Sequence, residues 1–211
     1  MANNIYSALE AGISSPPAIL RSYHGERWAA VETDAGMGMC MYVPGCDNSR
    51  FAAINAFYNQ GTEHFEPFEN YYTSGLDFSG KRVGVVGHLA EVRRRHGNEA
   101  REIFVFELEP KAEEDLPAEM EEELLPSCDI VIITGSSLVN GTLPRLLELA
   151  KNAYTILTGP SVPMCPALFD FGIDRLAGLC ITDIPGMRSY IKSSSKEKPY
   201  SFGAPFLLKK P

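Results

Sequence analysis

The residues equipped for chemistry sit at the ends of apolar runs. In chain order they are Gly87-His88, Glu107, Thr134-Gly135-Ser136 followed by Asn140 and Thr142, Gly159-Pro160-Ser161, and Asp183. The run before each end is almost purely apolar, whereas the end itself is small, polar or ionisable. In an open parallel sheet the ligand binds outside the carboxyl ends of the strands. Five such ends therefore point to one small-molecule site.

The chemistries on offer differ. An imidazole titrates near neutrality, so His88 suits a general base or a ligand, or else a structural role where a helix begins. Glu107 follows Gly87 by 20 residues. An acid at that separation, closing a second strand, can accept ribose hydroxyls; the alternative is a carboxylate in an ordinary turn before Pro110. The glycine fingerprint itself is incomplete, because VGVVGHL lacks GxGxxG. Neither Ser136 nor Ser161 lies in the GxSxG elbow of an activated nucleophile, so both read as hydroxyl donors to an anion or a carbonyl. Asp183 is either a base, a ligand or the cap of a turn. Gly135 and Gly159 would let a ligand approach the backbone, with Thr134, Asn140, Thr142 and Pro160 around it. Free amides at the start of the helix after Thr142 favour negative charge. The loops at 134–142 and 159–161 are thus expected to act together on an anionic or carbonyl-rich small molecule.

Five cysteines, at 40, 46, 128, 165 and 180, show no CxxC spacing, and the four histidines, at 24, 64, 88 and 96, show no HxxxH. A closed metal site of adjacent ligands is not expected. Cys128 and Cys180 sit in or beside apolar runs, where a thiol is usually a small buried hydrophobe. No particular cofactor follows.

The elements that must position these residues are legible as patterns. Ile130, Val131, Ile132 and Ile133 form the continuous β-branched run of a strand buried on both faces. After it, Leu143, Leu146, Leu147 and Ala150 mark a helix face, with Thr142 as N-cap and Pro144 in the first turn. Further strands are expected over 81–89, 102–110, 153–163 and 178–186, and helices over about 88–97, 116–125, 142–152 and 164–171. This alternation from Gly80 onward is the signature of a mostly parallel α/β sheet. The acidic run from Glu109 to Glu123 reads as a solvated helix face that Asp115 caps.

Before Gly80 the texture is that of a small α+β unit. Ile5, Ala8 and Leu9 suggest a short amphipathic helix. RWAAVETDAGMGMCMYV reads as two strands turning at Asp34-Ala35-Gly36. A helix capped by Asp47 or Ser49 runs through SRFAAINAFYNQG and ends at Gly61. Asn55 and Asn59 share one of its sides, and an asparagine inside a helix needs a partner or a job. Two domains are expected, over 1–79 and 80–211. Within the tail, 193–199 reads as a flexible loop, and Pro205 to Leu208 can pack back onto a core or a partner.

Composition narrows the function classes. A formal net charge of −8 argues against a nucleic-acid surface, which needs a basic face. No apolar run approaches the roughly 18 residues of a membrane span. The first residues have neither the basic nor the apolar region of a secretory leader, so a cytosolic address is expected. The partner expected is a small molecule; association into a homodimer stays open.

TGSSLVNGTLPRLLELA followed by GPSVPMCPALFDFGIDRLAG, with GVVGHL, FELEP and AINAFYN upstream, resembles the putative heavy-metal chelation family of uncharacterised bacterial and archaeal proteins. The likeness runs from about Trp28 to Asp183. It implies an enolase N-terminal-like domain followed by a Rossmann-like domain, with a site in the cleft between them. Carried over by motif, that site involves Asn55, His88, Glu107, Thr134, Asn140, Ser161 and Asp183. Three functions then compete. The leading one is a cytosolic protein binding a small polar molecule, such as a metal chelate or chelator precursor. The second is an enzyme that hydrolyses or condenses such a compound, with His88, Glu107 or Asp183 as acid or base. The third is a nucleotide- or S-adenosylmethionine-dependent enzyme. Direct metal storage ranks last.

Overall fold

A computed structural model describes residues 4–60, 65–67, 72–87, 89–110, 112–193 and 198–211. The chain begins with α1 (Ile5–Ala11), capped by the Asn4 side chain. A three-stranded antiparallel meander follows, formed by β1 (Ile19–His24), β2 (Trp28–Thr33) and β3 (Met37–Met41). Its β2–β3 hairpin turns through Asp34-Ala35-Gly36, as the sequence suggests, with Gly36 at φ 149°. Strand β1 was not expected. It is the free edge of the small sheet and is mostly exposed, so it lacks the apolar alternation by which a strand is recognised. Helix α2 (Asn48–Tyr58) then crosses β2 and β3, and the Asp47 carboxylate accepts the Arg50 amide as N-cap. Close packing of helix on strand depends on Gly38, because a Cβ there would lie 2.1 Å from the Ala52 carbonyl oxygen. Gly61, where this helix was expected to end, lies outside the described residues.

The large sheet contains β4 (Glu66–Pro67), β5 (Arg82–Val86), β6 (Glu102–Glu107), β7 (Asp115–Pro117), β8 (Ile130–Thr134), β9 (Tyr154–Thr158), β10 (Arg175–Ile181) and β11 (Gly203–Lys209). Its spatial order is β4-β11-β10-β9-β8-β5-β6-β7, and all neighbours from β10 to β7 pair in parallel. From β5 one crossover leads outward through α3 (Ala90–His96) to β6 and β7. The chain then passes α4 (Glu121–Leu124) and returns to β8 on the opposite side of β5, after which it steps through α5 (Ser136–Val139) and α6 (Leu143–Leu149) to β9 and β10. That reversal is the topological switch of a doubly wound, Rossmann-like sheet. The expected fold class, a mostly parallel α/β sheet preceded by a small α+β unit, is what the chain forms.

Three local expectations change. The helix over 116–125 is interrupted: Asp115 opens β7 opposite Val105, and only Glu121–Leu124 is α-helical, between single 3₁₀ turns. Pro117 and Pro126 bracket this segment, and each denies a longer helix the amide it needs. Residues 166–171 form a 3₁₀ helix in place of an α-helix. The segment after Asp183 forms α7 (Ile184–Lys192), unforeseen because Pro185-Gly186 reads as a turn; the proline is tolerated in the first turn that Asp183 caps. Strand β11 returns along β10 over its whole length, so Pro205 to Leu208 do pack back onto the sheet.

The core runs through both layers. Ile5, Leu9, Phe51 and Ala52 of the small unit share one buried cluster with Val131, Ile133, Leu143 and Leu157 of the large sheet. The second face of the sheet buries Val83, Val85, Ile130, Ile132 and Ile156 against Phe78 and Val92. Burial on both faces explains the uninterrupted β-branched run of β8 and the valines of β5.

Candidate functional site

At the switch point the carboxyl ends of β5, β6 and β8 enclose a cavity of about 80 Å³. Val86 and Gly87 end β5, Phe106, Glu107 and Leu108 end β6, and Thr134 ends β8. Ser136, Ser137, Asn140 and Thr142 complete it from the segment after β8, and Glu121 reaches it from α4. Gly87 is required here: its φ is +96°, and a side chain would also strike Thr134, whose Cγ2 would lie 2.7 Å from the added carbon. Its amide donates to the Phe106 carbonyl, which closes β5 tightly against β6.

Hydrogen bonds fix the polar wall. The Ser136 hydroxyl donates to Thr134 Oγ1 at 3.2 Å, so the Thr134 hydroxyl keeps its own proton for a ligand. Ser137 donates to the Thr134 carbonyl at 2.7 Å and is spent on the turn. Asn140 Oδ1 accepts from both the amide and the hydroxyl of Thr142, at 3.1 and 2.8 Å. What Asn140 offers outward is therefore its NH₂ group. Thr142 stands at the N-cap position of α6 without a side-chain capping bond, because its hydroxyl is turned to Asn140.

The cavity thus gathers Gly87, Glu107, Thr134, Ser136, Asn140 and Thr142 from the residues singled out in the sequence. His88 lies outside the described residues. The others stand elsewhere. Ser161 Oγ accepts the Met41 amide at 2.8 Å and is buried. Gly135 donates its amide to the Thr158 carbonyl and packs against Val162. Gly159 donates to the Ala177 carbonyl, with the half-buried Pro160 next to it. Asn55 is 1% exposed and donates to the Met39 carbonyl, while its Oδ1 has no hydrogen-bond partner among the described residues. Asp183 is exposed and caps α7 through the Gly186 amide at 2.9 Å. The loops at 134–142 and 159–161 adjoin, with the Gly135 amide on the Thr158 carbonyl, but none of residues 159–161 lines this cavity; Ser161 and Val162 bond instead to Met41 and Asn59 of the small unit.

Glu121 is the residue the sequence did not reveal. It stands in an acidic run whose charges all look solvated, and nothing in the spacing marks the one that turns inward. Burial, together with the Glu122 and Glu119 carboxylates, pushes its carboxyl up to about 7. Glu122 faces outward and pairs with Arg145, which also holds Glu148.

Among the described residues no group of three or more His, Cys, Asp or Glu side chains is placed to hold a metal ion. Three of the thiols are poor ligands too: burial pushes Cys40 up to about 12 and Cys128 up to about 11, and raises Cys180. No described helix is long and apolar enough to cross a membrane.

A family model described as "Putative heavy-metal chelation" matches residues 74–203, more than half of the chain. The chain is similar, at 29% identity and a TM-score of 0.87, to a crystal structure of a DUF364-family protein of unknown function from Desulfitobacterium hafniense. That likeness covers 98% of this chain and 97% of the other. A second DUF364-family structure of unknown function, from Pyrococcus horikoshii, has the same fold, with a TM-score of 0.79 at 22% identity over 97% of each chain. An uncharacterised protein of Methanocaldococcus jannaschii is 38% identical over 120 residues, which is 54% of this chain and 46% of that protein. The match spans less than half the length of that relative.

Proposed function

The chain belongs to this heavy-metal chelation family, DUF364, and from that premise we propose that it is a cytosolic protein binding a small polar molecule through a pair of neighbouring hydroxyls, as in the ribose of a nucleoside. The observation that carries the reading is the placement of Glu107. Its carboxylate closes β6 beside the switch strand β5, on the wall of the cavity and next to the Gly87 turn. A carboxylate there accepts two hydroxyls at once, and charge-assisted bonds of that kind are the strong ones. Thr134 and Asn140 supply donors for the ligand's own oxygens. Leu108, 71% exposed at the mouth, offers an apolar surface for a ring or tail.

The family description brings in heavy metals, but the described residues do not form a donor set for one. A chelator or chelator precursor would be held through its hydroxyls and carbonyls, not through protein–metal bonds. The test is equilibrium binding of adenosine and of S-adenosylmethionine to the full chain. Either should bind and raise the melting temperature, and Glu107→Gln should weaken both. Failure of both to bind would overturn the diol reading.

A further inference from the structure

The Tyr6 side chain joins the small unit to the segment that walls the cavity. From α1 its hydroxyl donates to the Leu138 carbonyl at 3.2 Å, across 132 residues of chain. Leu138 belongs to α5, a single helical turn that ends at Val139. One turn is too short to persist unaided, so contacts from outside decide how it sits. On the reading of the cavity as a diol site, we infer that Tyr6 is a positioning residue for the ligand. Its hydroxyl holds the end of α5 and, through the turn that follows, aims the Asn140 NH₂ group into the cavity.

Leu138 and Asn140 are rival acceptors for one donor. In a continued helix the Thr142 amide would donate to the Leu138 carbonyl, four residues back. Here it donates to Asn140 Oδ1 at 3.1 Å, and the Thr142 hydroxyl joins it at 2.8 Å. Gly141, at φ +83°, makes the turn that allows this. The Leu138 carbonyl thereby loses its helical partner, as carbonyls at helix ends do, and the Tyr6 hydroxyl takes that place. Without the hydroxyl, Leu138 competes with Asn140 for the Thr142 amide. The Oδ1 that anchors the Asn140 side chain then loosens, and its NH₂ group is no longer held in one direction. Tyr6 does not line the cavity, so it acts on a ligand only through this turn. Its ring is held separately, edge-on to Phe51 of α2 with centroids 6.0 Å apart. Tyr6→Phe therefore removes the hydroxyl while the ring keeps its place.

The test is adenosine binding by calorimetry on the full chain, for the wild type, Tyr6→Phe, Asn140→Ala and the double variant. Tyr6→Phe should raise Kd about three- to tenfold, the worth of one hydrogen bond. Asn140→Ala should raise it at least as much. The double variant should bind no more weakly than Asn140→Ala alone, because Tyr6 acts through Asn140. Without ligand, the Asn140 side-chain amide resonance, identified by its loss in Asn140→Ala, should shift in Tyr6→Phe. An unmoved resonance, an unchanged Kd in Tyr6→Phe, or a loss that adds in full to that of Asn140→Ala overturns the inference and leaves the diol reading standing. Absence of adenosine binding to the wild type overturns the diol reading, and the role of Tyr6 with it.

Discussion

The Ser161 hydroxyl accepts a 2.8 Å hydrogen bond from the Met41 amide, which joins the loop after β9 to the edge of the small sheet. Through this bond and its neighbours the small unit covers the carboxyl ends of β9 and β10. The ends of β5, β6 and β8 are left to form the cavity. Ser161→Ala leaves a part-buried amide without its partner and should cost about 1–3 kcal/mol of stability by urea denaturation. Adenosine affinity should be unchanged. A variant of wild-type stability that no longer binds would instead make Ser161 a ligand contact.

Asn59 is a stronger tie across the same boundary. Its Nδ2 donates to the Val162 and Leu179 carbonyls, at 2.9 and 3.1 Å, and its Oδ1 accepts the Met164 amide at 2.9 Å. Three backbone groups lose their partner in Asn59→Ala. We expect a loss on the order of 3 kcal/mol or more, read from the denaturation midpoint at an unchanged slope.

Glu32 and Arg188 join β2 to α7 through two bonds, with Tyr23 donating to the same carboxylate. The Arg188 guanidinium holds the Glu32 carboxyl below its usual value of 4.5. A depressed carboxyl contributes stability that is present above the unfolded value and lost as pH falls through the folded one. Thermal melts below about pH 4.5 should therefore show the wild type losing stability more steeply than Glu32→Gln.

Glu121 has the opposite sign. Its folded value is raised, so the folded chain resists ionisation and stability is lost as pH rises from about 4.5 to about 7. Glu121→Gln should melt higher than the wild type above about pH 7 and at the same temperature below about pH 4.5. Equal melting at both ends of the range would mean that the carboxyl is unperturbed.

The sheet was legible in the sequence because burial on both faces leaves an unbroken mark, as in Ile130 to Ile133. Strand β1 left none, since a single exposed edge strand carries no alternation. The strand ends were legible for the same reason: polarity begins abruptly at Gly87, Glu107 and Thr134. What one chain's pattern could not convey is which ends stay open. Ser161 and Asn55 look as free as Thr134 in the sequence, yet packing of the small unit commits both to backbone partners. Glu121 was hidden for the converse reason. Its neighbours are solvated acids, and β7, not a continuous helix, sets which of them faces inward.

A diol meeting Glu107 is what sets the specificity of the cavity. Calorimetry should compare adenosine with 2′,3′-dideoxyadenosine on the wild type and on Glu107→Gln, near pH 6. Adenosine should bind the wild type at least about tenfold more tightly than the dideoxy compound, the least that loss of charge-assisted hydrogen bonds allows. Glu107→Gln should remove most of that difference. Equal affinity for the two nucleosides, or an undiminished preference in Glu107→Gln, would contradict it.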